Sequence, residues 1–306
     1  MENQKIKRNA CESRPVESLQ KKVLRYIGFP VLLGIMGIAL GYDSALLAYP
    51  GLLAVVMTGW FLERIIPYEI DRWIEPGAFK LNTAFNLATL LVGPALGVLI
   101  SWTISKIEIP GMNISSWSFA LQLPLALIAS GFLPYVLHRL SHEQDGFLWR
   151  AHSIHHAPRS VYWFNALRLH PVNTAWNTAS GLVPLLILGF DPEVVFMTGV
   201  LNNFMSIVNH LNADLRLGPF NLIFNSGQLH RWHHNRNLDF ANHNFSSGLL
   251  IFWDLVLGSY RLPRRRQESS EVGLSDETDF PLESLKEQLL YPFRRTDCCE
   301  NPGLAA

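Results

Sequence analysis

From Tyr26 to Leu62 the chain carries a single charged residue, Asp43. Crossing the hydrocarbon of a bilayer takes about 20 apolar residues in a helix. The Gly-Tyr-Asp-Ser break around Asp43 therefore divides the run into two spans, 27–40 and 45–62, each near the short end of that range. Further apolar runs cover 83–104, 119–137, 174–190 and 194–208. The last two are short and separated by Asp191 and Pro192, which suits a shallow hairpin better than two full crossings. Hydrophobic residues make up 49% of the chain and charged ones 16%, against about 25% charged in soluble domains. A soluble core rarely needs so many such runs in succession. The expected fold is all-α: a polytopic integral membrane protein with about four to six membrane segments.

Chemistry is concentrated elsewhere. All eleven histidines lie between His138 and His243, most of them in three clusters: His138 and His142; His152, His155 and His156; His230, His233 and His234. Side chains at i, i+3 and i+4 share one helix face, and every cluster obeys that spacing. Imidazole is a common ligand for zinc, copper and non-heme iron. Eight clustered histidines exceed what one ion takes, so two metals are implied.

Charge sets an expected topology. Lys5, Lys7, Arg8, Arg14, Lys21, Lys22 and Arg25 precede the first span, whereas 105–118 holds only Lys106 as a basic residue. The positive-inside bias makes the N-terminus cytoplasmic. Four crossings return the chain to that side just before His138, and a fifth and sixth segment deliver His210 there, so both termini and all the histidine clusters face the cytoplasm. The organisation expected is a basic cytoplasmic tail (1–26), a membrane-spanning region (27–130), a catalytic region (131–263) and a cytoplasmic C-terminal tail (264–306). The first span lacks a small-residue cleavage site and is expected to remain as an anchor. Cys11, Cys298 and Cys299 fall in the tails and read as free thiols. A net charge of zero gives no global field for nucleic acid; the Arg264 to Arg266 run reads as a solvated or headgroup-facing patch.

Several metal chemistries fit poorly. A helical zinc hydrolase would show His-Glu-x-x-His, but Arg139, Ser153 and Arg231 follow the first histidine of each cluster. A bis-histidine heme would leave most of these side chains idle, and a transporter would place them along its spans. A redox-active metal pair reached laterally by a lipid is the economical reading. A zinc-dependent membrane hydrolase and a non-catalytic metal- or lipid-binding membrane protein remain as alternatives.

The order His-Arg-Leu-Ser-His, His-Ser-Ile-His-His-Ala-Pro, Arg168 to Pro171, Asn209-His210, Leu-His-Arg-Trp-His-His and Trp253 to Tyr260 resembles the fatty acid hydroxylase superfamily. This superfamily includes sterol desaturases, sphingolipid hydroxylases and alkylglycerol monooxygenases. The similarity is densest over 133–263, and the His-x-x-x-His at His138 and His142 suits the hydroxylase branch. What the resemblance implies is an oxygen-dependent, iron-dependent lipid hydroxylase or desaturase with two iron ions. Its metal ligands would be His138, His142, His152, His155, His156, His230, His233 and His234, with His210 as a ninth. His170 and His243 would be second-tier, and Ser246 stands where many relatives carry Gly. The substrate would be a sterol, fatty acyl or sphingolipid-like chain in the bilayer, and dioxygen the co-substrate. Electrons would come from reduced nicotinamide through a reductase with a ferredoxin or b-type cytochrome, or from tetrahydropterin in the alkylglycerol branch. No organic cofactor motif is present in the chain. Glu143, Asp145, Asp214, Asp239 and Asp254 are candidates to orient the imidazoles. Trp149, Tyr162, Trp163, Phe164 and Trp232 are candidates to line a lipid path.

Overall fold

The computed structural model describes residues 18–70, 77–107, 113–143 and 146–294. The expectations for Lys5, Lys7, Arg8, Arg14, the three cysteines and Asp145 lie outside the described residues. Those that are described are predominantly helical, with three isolated β-bridges and no strands.

Helix α1 (Leu19–Ile65) is interrupted at Asp43, whose φ and ψ of −158° and 98° are not helical. The two arms fold back on each other. A Cβ on Gly51 would lie 2.6 Å from Ala39 Cβ, and one on Gly28 would lie 3.5 Å from a Leu62 methyl. Small residues at these crossings are what lets the arms approach so closely. Asp43 Oδ1 accepts from Leu46 N at 3.0 Å, capping the second arm. The lone charge of the longest apolar run is thus a turn residue.

Helices α2 (Ala78–Ile104) and α3 (Phe119–Glu143) follow, and α1, α2 and α3 are the three described helices long and apolar enough to cross a membrane. Many of their large apolar side chains, such as Leu91 and Val98, are exposed, as lipid-facing residues are. The short α4 (Phe147–His156) leads to α5 (Pro171–Ile187) and α6 (Pro192–Asn209). Pro171 and Pro192 each open their helix, where the missing N–H costs nothing. At 17 and 18 residues, α5 and α6 are the short pair expected, turned by Gly189 at φ 68°. Helix α5 packs on α2 and α3, and α6 on α1 and α3.

Contacts define two ends of this bundle. At one, Ser44 Oγ donates to Glu193 at 3.2 Å, and Asp191 N donates to Gln122 at 2.9 Å. At the other, Arg25 pairs with Asp214 at 3.0 Å, and Glu63 accepts from the backbone N–H groups of Trp163 and Asn212, both at 2.8 Å. Helix α3 runs from the first end to the second, where four short helices gather: α4, α7 (Gly227–His233), α8 (Leu238–Ala241) and α10 (Leu285–Leu290). A fifth, α9 (Phe252–Val256), lies against the flank of α3.

Candidate metal centre

Four elements converge at the second end. Helix α3 brings His138 and His142, α4 brings His152, His155 and His156, and α7 with its C-cap brings His230, His233 and His234. His210 caps the C-terminus of α6. The ring nitrogens fall into two groups, each with all members within 4.8 Å of one another: His138, His142, His152, His156 and His233 in the first, His155, His210, His230 and His234 in the second. Eight of the nine imidazoles are buried, and His142 is half-buried.

Helix phase dictates the partition. Residues at i and i+4 differ by about 40° in direction, whereas i+3 falls about 60° to the other side. Helix α4 accordingly keeps His152 and His156 in the first group and sends His155 to the second. Helix α7 does the reverse, keeping His230 and His234 in the second group and sending His233 to the first. Each group therefore draws on both helices.

Proton placement shows what the groups are built for. His138 Nδ1 faces the Phe245 carbonyl at 2.6 Å, His233 Nδ1 the His243 carbonyl at 2.9 Å, and His152 Nδ1 the Asn173 Oδ1 at 2.8 Å. Each of these oxygens accepts, so each imidazole carries its proton on Nδ1. A neutral ring has only one such proton, which leaves Nε2 as a bare lone pair. Yet His138 Nε2 lies 2.9 Å from Nε2 of both His152 and His233. These contacts cannot be hydrogen bonds; they are lone pairs turned toward one another. In the second group His210 follows the same pattern, its Nδ1 facing the Ser206 carbonyl at 2.8 Å and its Nε2 3.3 Å from His155 Nε2 and 3.2 Å from His230 Nε2. Converging lone pairs with their protons held outward fit a cation, and all-nitrogen donors suit zinc, copper or iron. His142 Nε2, buried with no hydrogen-bond partner among the described residues, completes the first set.

Electrostatics agree. Burial, and then the neighbouring imidazoles, push the pKa values of His155, His156, His230, His233 and His234 well below the usual 6.5; for His152 the order of causes is the same. These rings stay neutral, as metal ligation requires.

The remaining candidates lie around the groups. His170 caps α5, its Nδ1 accepting from Val172 N at 3.1 Å while Nε2 faces the Leu289 carbonyl at 3.1 Å. His243 contributes its carbonyl to His233 and keeps its ring outside both groups. No direct hydrogen bond joins an imidazole ring to Glu143, Asp214 or Asp254. Glu143 pairs with Arg139 at 2.7 Å, and Asp214 with Arg25, Arg216 and Arg266. Asp239 N is capped by Asn237. Asp254 acts at one remove: it accepts from Phe245 N at 2.7 Å, Ser246 N at 2.8 Å and Ser259 Oγ at 2.6 Å, fixing the loop whose carbonyl orients His138. Asn244 opens that loop at φ 59°, a conformation Asn tolerates.

Sequence reasoning gave no orienting role to Asn173, Asn209 or Phe245. Asn173 and Asn209 stand within three residues of a histidine, a usable signal, and Asn209 Oδ1 lies 2.8 Å from His210 Nδ1. Phe245 acts largely through its backbone, which no residue code announces, although its ring also lies 5.5 to 5.8 Å from those of His142, His138 and His233. Of the five aromatic residues named as possible path liners, Trp149 meets the imidazoles, at 5.1 Å from His142. Phe164 stacks on Phe79, Trp232 tilts against Phe240, and Tyr162 accepts from Asn82.

The geometry has counterparts in known proteins. The family profile described as Fatty acid hydroxylase matches residues 123–259, from the first turns of α3 through the last loop beside the site. Ornithine lipid hydroxylase OlsE of Rhizobium tropici is 32% identical over 242 residues, covering 76% of this chain and 71% of its own. Alkylglycerol monooxygenase of Caenorhabditis elegans is 26% identical over 61% of this chain, and the match spans 35% of that longer protein. Sphinganine C4-monooxygenase 1 of Arabidopsis thaliana is 27% identical over 54% of this chain and 65% of its own length. No solved structure matches. A relative matched over most of both chains, together with a profile that spans every histidine cluster, settles the kinship: the chain belongs to the fatty acid hydroxylase family.

Proposed function

We propose that this integral membrane protein is a di-iron, oxygen-dependent lipid hydroxylase with His138, His142, His152, His156 and His233 holding one ion and His155, His210, His230 and His234 the other. The observation that carries this reading is the convergence of nine imidazole nitrogens in two separate groups, each within 4.8 Å. Bound iron would supply redox-driven oxygen activation at an unactivated carbon. Everything else falls to the protein. The carbonyls of Phe245, His243 and Ser206 keep the Nδ1 protons in place and the rings aimed inward. Burial of the imidazoles keeps bulk water from the reacting centre, and the Trp149 and Phe245 rings form an apolar wall beside His142. In balance, one oxygen atom enters a C–H bond and the other leaves as water. That takes two electrons and two protons from an external donor, which we assign to reduced nicotinamide through a reductase and a ferredoxin or b-type cytochrome.

The substrate class we favour is an amino-acyl lipid of the ornithine lipid kind, because that relative matches 76% of this chain and 71% of its own. We place the termini and the histidine groups on the cytoplasmic face. The contact of Arg25 with Asp214 supports this, since it puts the basic start of α1 at the histidine end of the bundle.

Expression in a host that makes ornithine lipids, followed by comparative lipidomics under labelled dioxygen, tests the proposal. The expected product is an ornithine lipid heavier by one oxygen derived from the gas, absent from His156→Ala and His234→Ala variants. Labelled product in both variants at parental levels would refute the ligand assignment. An unchanged ornithine lipid pool beside another oxygenated lipid would refute the substrate. Zinc alone in active protein would favour a hydrolase.

A further inference from the structure

The segment after Phe245 leaves the histidine end and descends along the bundle. Leu249 N donates to Asn202 Oδ1 at 3.0 Å, and Asn202 Nδ2 donates to Ser130 Oγ at 3.2 Å. Trp253 Nε1 donates to the Ile128 carbonyl at 2.8 Å, with its ring 4.6 Å from Phe132. Ile128 stands ten positions before His138 on α3, about 15 Å along the helix, half the thickness of a bilayer core. The chain then returns: Ser259 Oγ meets the Tyr135 hydroxyl at 2.7 Å, one turn from His138.

This excursion presents apolar side chains outward. Phe252, Leu255, Val256 and Leu257 are 36%, 41%, 56% and 43% exposed. Between Ser246 and Tyr260 the only charged residue is Asp254, which is fully buried. Beside it the 3-10 turn Gly218–Leu222 exposes Phe220 and Leu222, and its C-cap Ile223 is exposed as well.

Non-helical backbone survives at membrane depth only if its polar groups are satisfied internally. Several backbone groups of this segment have dedicated partners. Ile251 N donates to the Ile223 carbonyl and Asn225 N to the Leu249 carbonyl, both at 3.0 Å, and the α6 amide of Asn202 serves Leu249 N. A polar side chain on a hydrophobic helix is thereby explained.

We propose that residues 246–258 form a re-entrant loop whose outward face, Phe252, Leu255, Val256 and Leu257, lies among the acyl chains of the bilayer near its midplane. The occupant is lipid because the face continues the lipid-exposed flank of α3 and carries no charge. The loop's root is Phe245, against His138, His142 and His233, so a single short segment joins acyl-chain contact to the metal centre. The inference rests on the membrane reading of α3.

The test uses full-length protein in nanodiscs with Cys11, Cys298 and Cys299 replaced by serine, carrying one of three substitutions: Val256→Cys, Leu91→Cys on α2, or Ser270→Cys on the exposed segment after the site. All three sites are exposed, so each takes a fluorophore without repacking. Val256→Cys should be quenched by lipid bearing a mid-chain nitroxide as strongly as Leu91→Cys. It should react with a membrane-impermeant maleimide roughly tenfold or more slowly than Ser270→Cys. Maleimide reactivity equal to Ser270→Cys, with Leu91→Cys still quenched, overturns the loop alone. Water access at Leu91→Cys as well overturns the membrane reading and the loop with it. Shielding of Val256→Cys from both reagents would put a second copy of the chain on this face and likewise overturn the proposal.

Discussion

Replacing Asn173 by alanine should weaken the metal centre without touching a ligand. Asn173 is buried at 1% exposure on the first turn of α5, and its Oδ1 accepts the Nδ1 proton of His152 at 2.8 Å. Alanine removes that acceptor. An unsatisfied buried donor costs about 1–3 kcal/mol. Most of that cost falls on the state in which His152 is held in ligating orientation. At about 1.4 kcal/mol per factor of ten, metal affinity should fall roughly 10- to 100-fold. Asn173→Asp keeps the acceptor and should recover most of the loss. The assay is chelator competition on detergent-solubilised protein, with thermal unfolding of the metal-stripped forms as a check on folding. Affinity in Asn173→Ala within about twofold of the parent would refute the argument. An equal loss in Asn173→Asp would assign the effect to packing.

Acid should loosen the same region. Burial holds the folded-state pKa values of His152, His155, His156, His230, His233 and His234 below 6.5, so the unfolded chain binds more protons in that window. Stability of the metal-stripped protein should be flat above about pH 7 and decline below about pH 6.5, each group adding up to about 1.4 kcal/mol per pH unit; melts with no acid-side fall would refute this. Asp254→Ala strands the N–H donors of Phe245 and Ser246 and should cost about 2–6 kcal/mol, seen as a large drop in melting temperature. Gly248→Ala puts a Cβ 2.6 Å from Asn202 Oδ1 and should destabilise by about 1–3 kcal/mol through the lost Asn202 hydrogen bonds. Gly34→Ala, with open space around it, should stabilise by about 0.5–1 kcal/mol in the same melts.

Much of this architecture is legible in the amino-acid order because two signals depend on local geometry alone. Apolar run length marks α1, α2 and α3, and the isolated Asp43 marks the fold-back between the two arms of α1. The i, i+3, i+4 spacing marks which histidines share a face. What the order hides is whatever tertiary approach decides. The i+3 histidine of α4 faces away from its own i, i+4 pair, and only the position of α7 shows that His233 takes the vacated side. Orienting groups are hidden for a different reason. Carboxylates were the natural expectation, but Glu143 and Asp214 are engaged by arginines, and backbone carbonyls and two asparagines do the orienting instead. A carbonyl is present at every residue and leaves no trace in the code. The descent of 246–258 is hidden likewise, since its partners Asn202 and Ile128 lie far off in sequence.

The exchange of His155 and His233 between the two groups has a thermodynamic consequence. An ion in the first group restrains α4 through His152 and His156 and α7 through His233. Both helices then arrive at the second group already ordered, and the entropy of fixing them has been spent. The second ion should bind more tightly than the first, and by reciprocity the loss of either loosens the other. A half-loaded protein would be a minor species in any titration, so the proposed two-ion centre is biased by its own wiring toward holding both or neither.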